Sequence, residues 1–448
     1  MGVERQFAGD YLSDVILGLG LYPPRRYVML VNPSQRNALL TKFKEHVAGA
    51  QYGSSTVGAY VAIADHFLEY LSRRKVPIQG VCTEHVSAFL GCELLRFSRR
   101  HGHRPASVAN WHSQHSSAIR KLLWWANGRL PVTAAPPCPF EAFSRALCDE
   151  YAQWLDEQRG LAATSIDDLV GGARRFLAWY GEDRATDSLS SMAIADVDAY
   201  LQTRAASLAR VSLKSVTHQL RCLLHFAYAT GRTGRDFALS VTSPTLYALE
   251  SIPSCLSAEE IRIVVNATRK DHSPKGLRDY AILLLLSTYG LRAGEIVRLT
   301  LEDIDWHADR IRVLHTKTAV HSLLPLLPTV GDALLAYLRR GRPVTDAREI
   351  FIRICAPYRG LADGSSLYTV IRGRLDAAGA QPVGKRGPHA FRHARAVSLL
   401  RAGVSQKVIG DVLGHRSAAS TTPYLKLATE ELRNVALEIP MYTGEARS

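Results

Sequence analysis

Apolar positions recur at helical spacing along most of the chain. In TVGAYVAIADHFLEYL (56–71) and SIDDLVGGARRFLAWY (165–180) they align without gaps, pairing Val57 with Ile166, Val61 with Val170, Ala64 with Ala173, Phe67 with Phe176 and Leu68 with Leu177. Two shorter stretches repeat in the same order: VSAFL (86–90) with VDAYL (197–201), and IRKLLWWA (119–126) with LRCLLHFA (220–227). Three matches in one order predict two similar helical modules in tandem, over residues 51–131 and 140–245. PVTAAPPCPF (131–140) is the proline-rich joint between them, and RFSRRHGHRP lengthens the first copy. Residues 1–50 show no pattern that names a role.

A second joint, TSPTLYALESIPS (242–254), precedes a third region, 254–448. Ser257 and Glu260 have capping-box spacing ahead of the apolar IRIVV, so a helix begins there. The apolar stretch 277–289 predicts a helix that Gly290 ends. Ile311 and Val313 alternate with polar residues, which predicts a hairpin over 310–326 turning at Thr316–Thr318. Further expectations are helices at 331–340 and 365–378 and a strand at 349–353. Pro388 starts another helix, and Ser405 to Leu413 forms one that buries Val408, Ile409, Val412 and Leu413 and stops at Gly414. The fold class is therefore mainly α with a small β-sheet: two helical modules ahead of an α+β C-terminal domain.

A chain of 448 residues exceeds one ordinary core, and its 47% hydrophobic content supports two to four folded domains. Its 55 Lys and Arg against 41 Asp and Glu leave a net charge of +14, a balance that favours a polyanionic partner such as nucleic acid. The seven cysteines are scattered without a CxxC pair, as expected of buried thiols in a reducing cytosol. The longest apolar run, AILLLL at 281–286, is too short to cross a bilayer, and MGVERQFAGD has no signal-peptide core. The expectation is a cytoplasmic protein with no membrane partner.

The candidate chemistry lies in the last third. His389 and Arg392, three apart on a helix that starts at Pro388, share a face near its N-terminus, where free N–H groups and a partial positive charge favour a phosphate. Arg292 directly follows the helix ended by Gly290. Lys317, the only lysine between Lys275 and Lys385, sits in the hairpin turn. His415 follows Gly414, and Tyr424 comes nine residues later. The basic residues have no clustered carboxylates beside them of the kind a metal nuclease uses. Glu295, three after Arg292, is placed to buttress it.

Taken in order, GLRAGE, TKT, HAFRH, LGH and the late tyrosine resemble the active site of the tyrosine recombinase (phage integrase) family, by motif from about Ser254 to Ile439 and by architecture from about Phe140 to Tyr247. The resemblance implies a site-specific DNA recombinase in which Tyr424 attacks the scissile phosphate, without metal, ATP or other cofactor. Arg292 and Arg392 then hold nonbridging oxygens, Lys317 protonates the leaving 5′ oxygen, His389 accepts a proton or orients, and His415 donates to the phosphate. It also makes the second module a core-binding domain, with Arg210, Lys214, Arg221, Arg232 and Arg235 available to DNA phosphates. The first module, with Arg96, Arg99, Arg100, Arg104 and Arg120, extends that grip or reads accessory sites.

Two departures stand out. His321 and Ser322 replace the basic residue many relatives carry on the second hairpin strand, and Pro423 stiffens the chain before Tyr424. The tail ATEELRNVALEI puts Leu432, Val435 and Ile439 on one helical stripe; docking of that stripe on a neighbouring protomer would build a tetramer on two DNA sites. Partners are double-stranded DNA, further copies of the chain and sibling recombinases. Serving a mobile element is the leading role. Resolution of chromosome or plasmid dimers, relaxation of supercoils and a non-catalytic DNA-binding regulator are the alternatives.

Overall fold

The structure is a computed structural model and describes residues 33–131, 138–181, 188–247, 256–315, 320–382 and 384–414. The chain divides into two compact units. One comprises Met1–Val81, Ala88–Leu130 and Ser251–Ser448; the other comprises Cys82–Ser87 and Pro131–Glu250.

Helices α1 (Pro33–Gly49), α2 (Ser54–Arg73), α3 (Thr83–His101) and α4 (Val108–Asn127) form the first repeat, and α5 (Pro139–Arg159), α6 (Ala163–Tyr180), α7 (Ile194–Ala205) and α8 (Arg210–Ala229) the second. In each, the second helix packs on the first and the fourth. The buried positions agree in register. Tyr60, Ala64, Phe67, Leu68 and Leu71 of α2 correspond to Leu169, Ala173, Phe176, Leu177 and Tyr180 of α6, and Ile119, Leu122 and Leu123 of α4 to Leu220, Leu223 and Leu224 of α8. The sequence repeat is thus a repeat of packing. Helix α1 lies within the stretch to which the sequence assigned no role, yet it buries Leu40, Phe43 and Val47 and packs on α2.

The C-terminal region is built around α10 (Pro274–Tyr289), whose run from Ala281 to Leu286 is apolar on every side and buried throughout. A helix apolar all round needs neighbours on all faces. Helices α9 (Ala258–Arg269), α12 (Pro328–Arg340), α13 (Ser365–Ala377) and α14 (Pro388–Arg401) supply them. Ser257 caps α9 and Glu260 answers it, the Ser257 amide donating to Glu260 Oε2 at 2.7 Å. Short α11 (Ala293–Arg298) follows α10. An antiparallel sheet of β1 (Ile304–Asp305), β2 (Arg310–His315) and β3 (Val320–Pro325) comes next, in order β1-β2-β3, with His315 opposite Val320 and Val313 opposite Ser322. The last described helix is α15 (Gln406–Leu413).

Three expectations are corrected, the first being that the cysteines are buried: Cys92, Cys138 and Cys355 are exposed on the surface. Residues 349–353 form no strand: Glu349 and Ile352 make single bridges to Thr300 and Gly360, and Arg342 takes the Glu349 and Ile350 carbonyls that a neighbouring strand would need. Val408 is 47% exposed and Val412 half-buried, while Ile409 and Leu413, one turn apart, carry the buried side of α15. Among the described residues no helix is long and apolar enough to cross a membrane.

Candidate active site

Three helix ends converge on two arginines. Helix α10 stops at Gly290, whose φ of 66° is left-handed, and a side chain there would meet the Leu413 methyl at 2.8 Å. The chain then runs extended through Arg292, the N-cap of α11. Glu295, in the first turn of α11, reaches back: its Oε2 accepts from the Arg292 amide at 2.8 Å and its Oε1 from the Arg292 guanidinium at 2.8 Å. The other guanidinium nitrogen donates to the Gly414 carbonyl at 3.0 Å.

Arg392 lies in the second turn of α14 and is only 4% exposed. It donates to the Gly290 carbonyl at 2.8 Å and to the Leu413 carbonyl. Carbonyls at a helix C-terminus carry partial negative charge and lack intrahelical donors, so a guanidinium satisfies them well. Leu413 and Gly414 are consecutive, so the two guanidinium groups meet at the end of α15. The structure therefore brings Arg292 and Arg392 together. His389, on the first turn of α14, is exposed.

Glu295 is 3% exposed. Burial pushes its carboxyl up, but bonds from His315, the Arg292 amide and the Arg292 guanidinium outweigh that and hold its pKa below the ordinary value. It is therefore ionised beside Arg292 at neutral pH, in the buttressing role expected of it. His393, one turn after His389 with ring centroids 6.3 Å apart, is pushed down to about 4, by burial first and then by the neighbouring His389, Arg392 and Lys385. It is neutral at pH 7.

Neither His315 nor His393 was singled out from the sequence. His393 sits at i+4 from His389, a spacing that shares its face; His315 carried only the alternation of β2. Lys317, His415 and Tyr424 lie outside the described residues, as do Leu432, Val435 and Ile439 of the tail. By chain connection alone, Lys317 belongs to the link between β2 and β3, and His415 follows Gly414 directly.

Among the basic residues of the second repeat, Lys214, exposed on α8, shares a face with His218 and Arg221. Arg221 donates to the Val241 carbonyl at 2.6 Å, Arg232 pairs with Glu150, Arg210 bonds the Thr245 carbonyl, and Arg235 lies over the Phe237 ring at 4.7 Å. In the first repeat Arg99, Arg100 and Arg104 are exposed, as is Arg96, which pairs with Glu93 at 3.2 Å; Arg120 is half-buried.

Residues 254–431 match the phage integrase family. A Sinorhizobium fredii protein named integrase/recombinase y4gC is 59% identical over 189 residues, covering 42% of this chain and 97% of its own length. Another from that organism, integrase/recombinase y4rA, is 36% identical over 413 residues, covering 90% of this chain and 94% of its own. Among solved structures, the XerH site-specific recombinase in a post-cleavage complex with palindromic difH substrate has a TM-score of 0.52 at 15% identity, covering 80% of this chain and 96% of that one, a likeness of fold alone. With two relatives matched over almost their whole lengths, this chain belongs to the phage integrase family of tyrosine recombinases, enzymes that cut and rejoin DNA at specific sites.

Proposed function

We propose that the chain recombines the DNA of a mobile element through a covalent tyrosyl intermediate, with Arg292, Arg392, Lys317, His389, His415 and Tyr424 as its working groups. The Tyr424 oxygen attacks the scissile phosphorus and passes its proton to His389, the P–O5′ bond breaks, and Lys317 protonates the leaving 5′ oxygen. The products are a 3′-phosphotyrosyl link and a free 5′-hydroxyl. The link keeps the energy of the phosphodiester, so a 5′-hydroxyl of another strand reverses the reaction without ATP. Arg292 and Arg392 neutralise the phosphorane and favour the phenolate, whose free pKa near ~10 is otherwise too high for neutral pH. Lysine in their place would lose the bidentate geometry.

One observation carries this reading: both guanidinium groups are anchored on consecutive carbonyls at the end of α15, one residue before His415 and ten before Tyr424. The relatives' names, integrase/recombinase, favour the mobile-element role. The XerH neighbour is bound to its difH substrate, and double-stranded DNA is the partner proposed here, gripped by the two helical repeats with the C-terminal domain. The test is Tyr424→Phe on nicked duplexes tiled across the DNA flanking the gene. Covalent capture should vanish while duplex binding stays within a few fold; an adduct that persists removes Tyr424 as the nucleophile.

A further inference from the structure

The inward row of β2 is Ile311, Val313 and His315, buried to 0%, 0% and 1% exposure. The first two are the apolar residues a core strand calls for. The third is a histidine, and a polar ring at such a place costs free energy unless its nitrogens are paired. Both are. Nδ1 lies 2.8 Å from Glu295 Oε1, the oxygen that also accepts from the Arg292 guanidinium, and Nε2 lies 2.8 Å from the Ser322 hydroxyl on β3. An ionised carboxylate only accepts, so Nδ1 carries a proton and donates it to Glu295. The ring is also flush against Gly414, where a Cβ would come within 2.5 Å of it, and the carbonyl of that glycine accepts from Arg292. One imidazole thus touches both residues that aim the Arg292 guanidinium, and ties them to the strand on the far side of the hairpin turn.

We propose that His315 is a positioning residue for DNA cleavage: through Glu295 and Gly414 it holds the Arg292 guanidinium in place, and through Ser322 it sets that placement in register with the hairpin that carries Lys317. The proposal rests on the reading above in which Arg292 contacts the scissile phosphate. It also explains the Ser322 departure, since a long basic side chain there would not supply the short hydroxyl that meets Nε2. Groups that orient an active residue from behind typically change activity 10- to 100-fold when removed.

The experiment measures the rate of covalent adduct formation on the nicked duplexes tiled across the flanking DNA, alongside duplex affinity, for the full chain. His315→Ala should slow the adduct by roughly 10- to 100-fold with affinity within about threefold. His315→Asn, whose amide N–H stands where Nδ1–H was, should recover to within about fivefold of wild type. His315→Gln, which reaches only the Ser322 side, should stay near the alanine variant. In an Arg292→Lys background, adding His315→Ala should cost less than about threefold, because a residue acting only through Arg292 has nothing left to position. A wild-type rate in His315→Ala, rescue by Gln as good as by Asn, or full multiplicative loss in the Arg292→Lys background each overturns the proposal. A wild-type rate in Arg292→Lys itself instead overturns the role of Arg292, and this proposal with it. Should His315→Ala fail to fold, the Asn and Gln variants, which keep bulk and polarity, decide the matter between them.

Discussion

At the residue scale, the HAFRH motif hides two imidazoles with different fates. His389 is exposed at the helix start, while His393, one turn on, is half-buried among cations with a pKa near 4. The unfolded chain takes up a proton near pH ~6.5 that the folded site refuses until about pH 4. A histidine lowered in this way contributes stability that is complete above about pH 6.5 and is lost as pH falls toward 4. Partial exposure discounts the effect to the order of 1–2 kcal/mol. The melting temperature should therefore fall between pH 6.5 and 4 more steeply in wild type than in His393→Asn; parallel profiles would show that His393 is not the group responsible. The residue types were legible in the sequence, and so were the pairings that follow a helix repeat. That His393 stays neutral was not, because that depends on burial and on Lys385 and Arg392 facing the same space.

At the scale of elements, periodicity identified the helices because each needs a stripe at a spacing near 3.6 residues, and α2 and α6 bury the same register of positions. Where helices are tied by charge, periodicity says nothing. Asp279, fully buried on α10, accepts from Arg278 at 2.8 Å and from Arg374 of α13 at 2.8 Å, and Arg374 also reaches Asp271 at 2.8 Å. Removing one member of such a buried group strands the others without compensation. Asp279→Ala should destabilise the C-terminal region by about 3–5 kcal/mol, read as a drop in its unfolding midpoint, whereas Glu259→Ala, which breaks an exposed pair with Arg262, should leave the midpoint unchanged. The strand expected at 349–353 failed for a related reason: alternation shows that a segment has two faces, but whether a partner strand stands beside it is a matter of tertiary supply. Here Arg342 and the Leu299 carbonyl take its backbone groups.

At the scale of the whole molecule, the assembly expected from the sequence is a tetramer on two DNA sites held through the tail, with Leu432, Val435 and Ile439, which lie outside the described residues, as the docking stripe. A helix as short as the sequence predicts there is marginal alone and needs a surface on which to bury its stripe. Deleting the residues after Leu427 should leave binding to one half-site intact while abolishing strand exchange. Unimpaired assembly and recombination in that variant would rule out docking on a neighbour. The net charge of +14 supports capture of a polyanion. The duplicated helical architecture offers two surfaces for it, though Arg221 and Arg232 also hold positions within their own repeat.

By itself the sequence determined the family, the duplication, the helix boundaries set by Ser257, Pro388, Gly290 and Gly414, and the two arginines, because these depend on local spacing, on caps and on an ordered motif. Tertiary structure alone decided how the arginines are held. Arg392 lies 102 residues from Gly290 and Arg292 lies 122 from Gly414, and no local pattern encodes which carbonyl a distant guanidinium will meet. His315 shows the same limit. Along the strand it is one more alternating position, and only the packing of α11, β3 and the end of α15 around it turns that position into a support for Arg292.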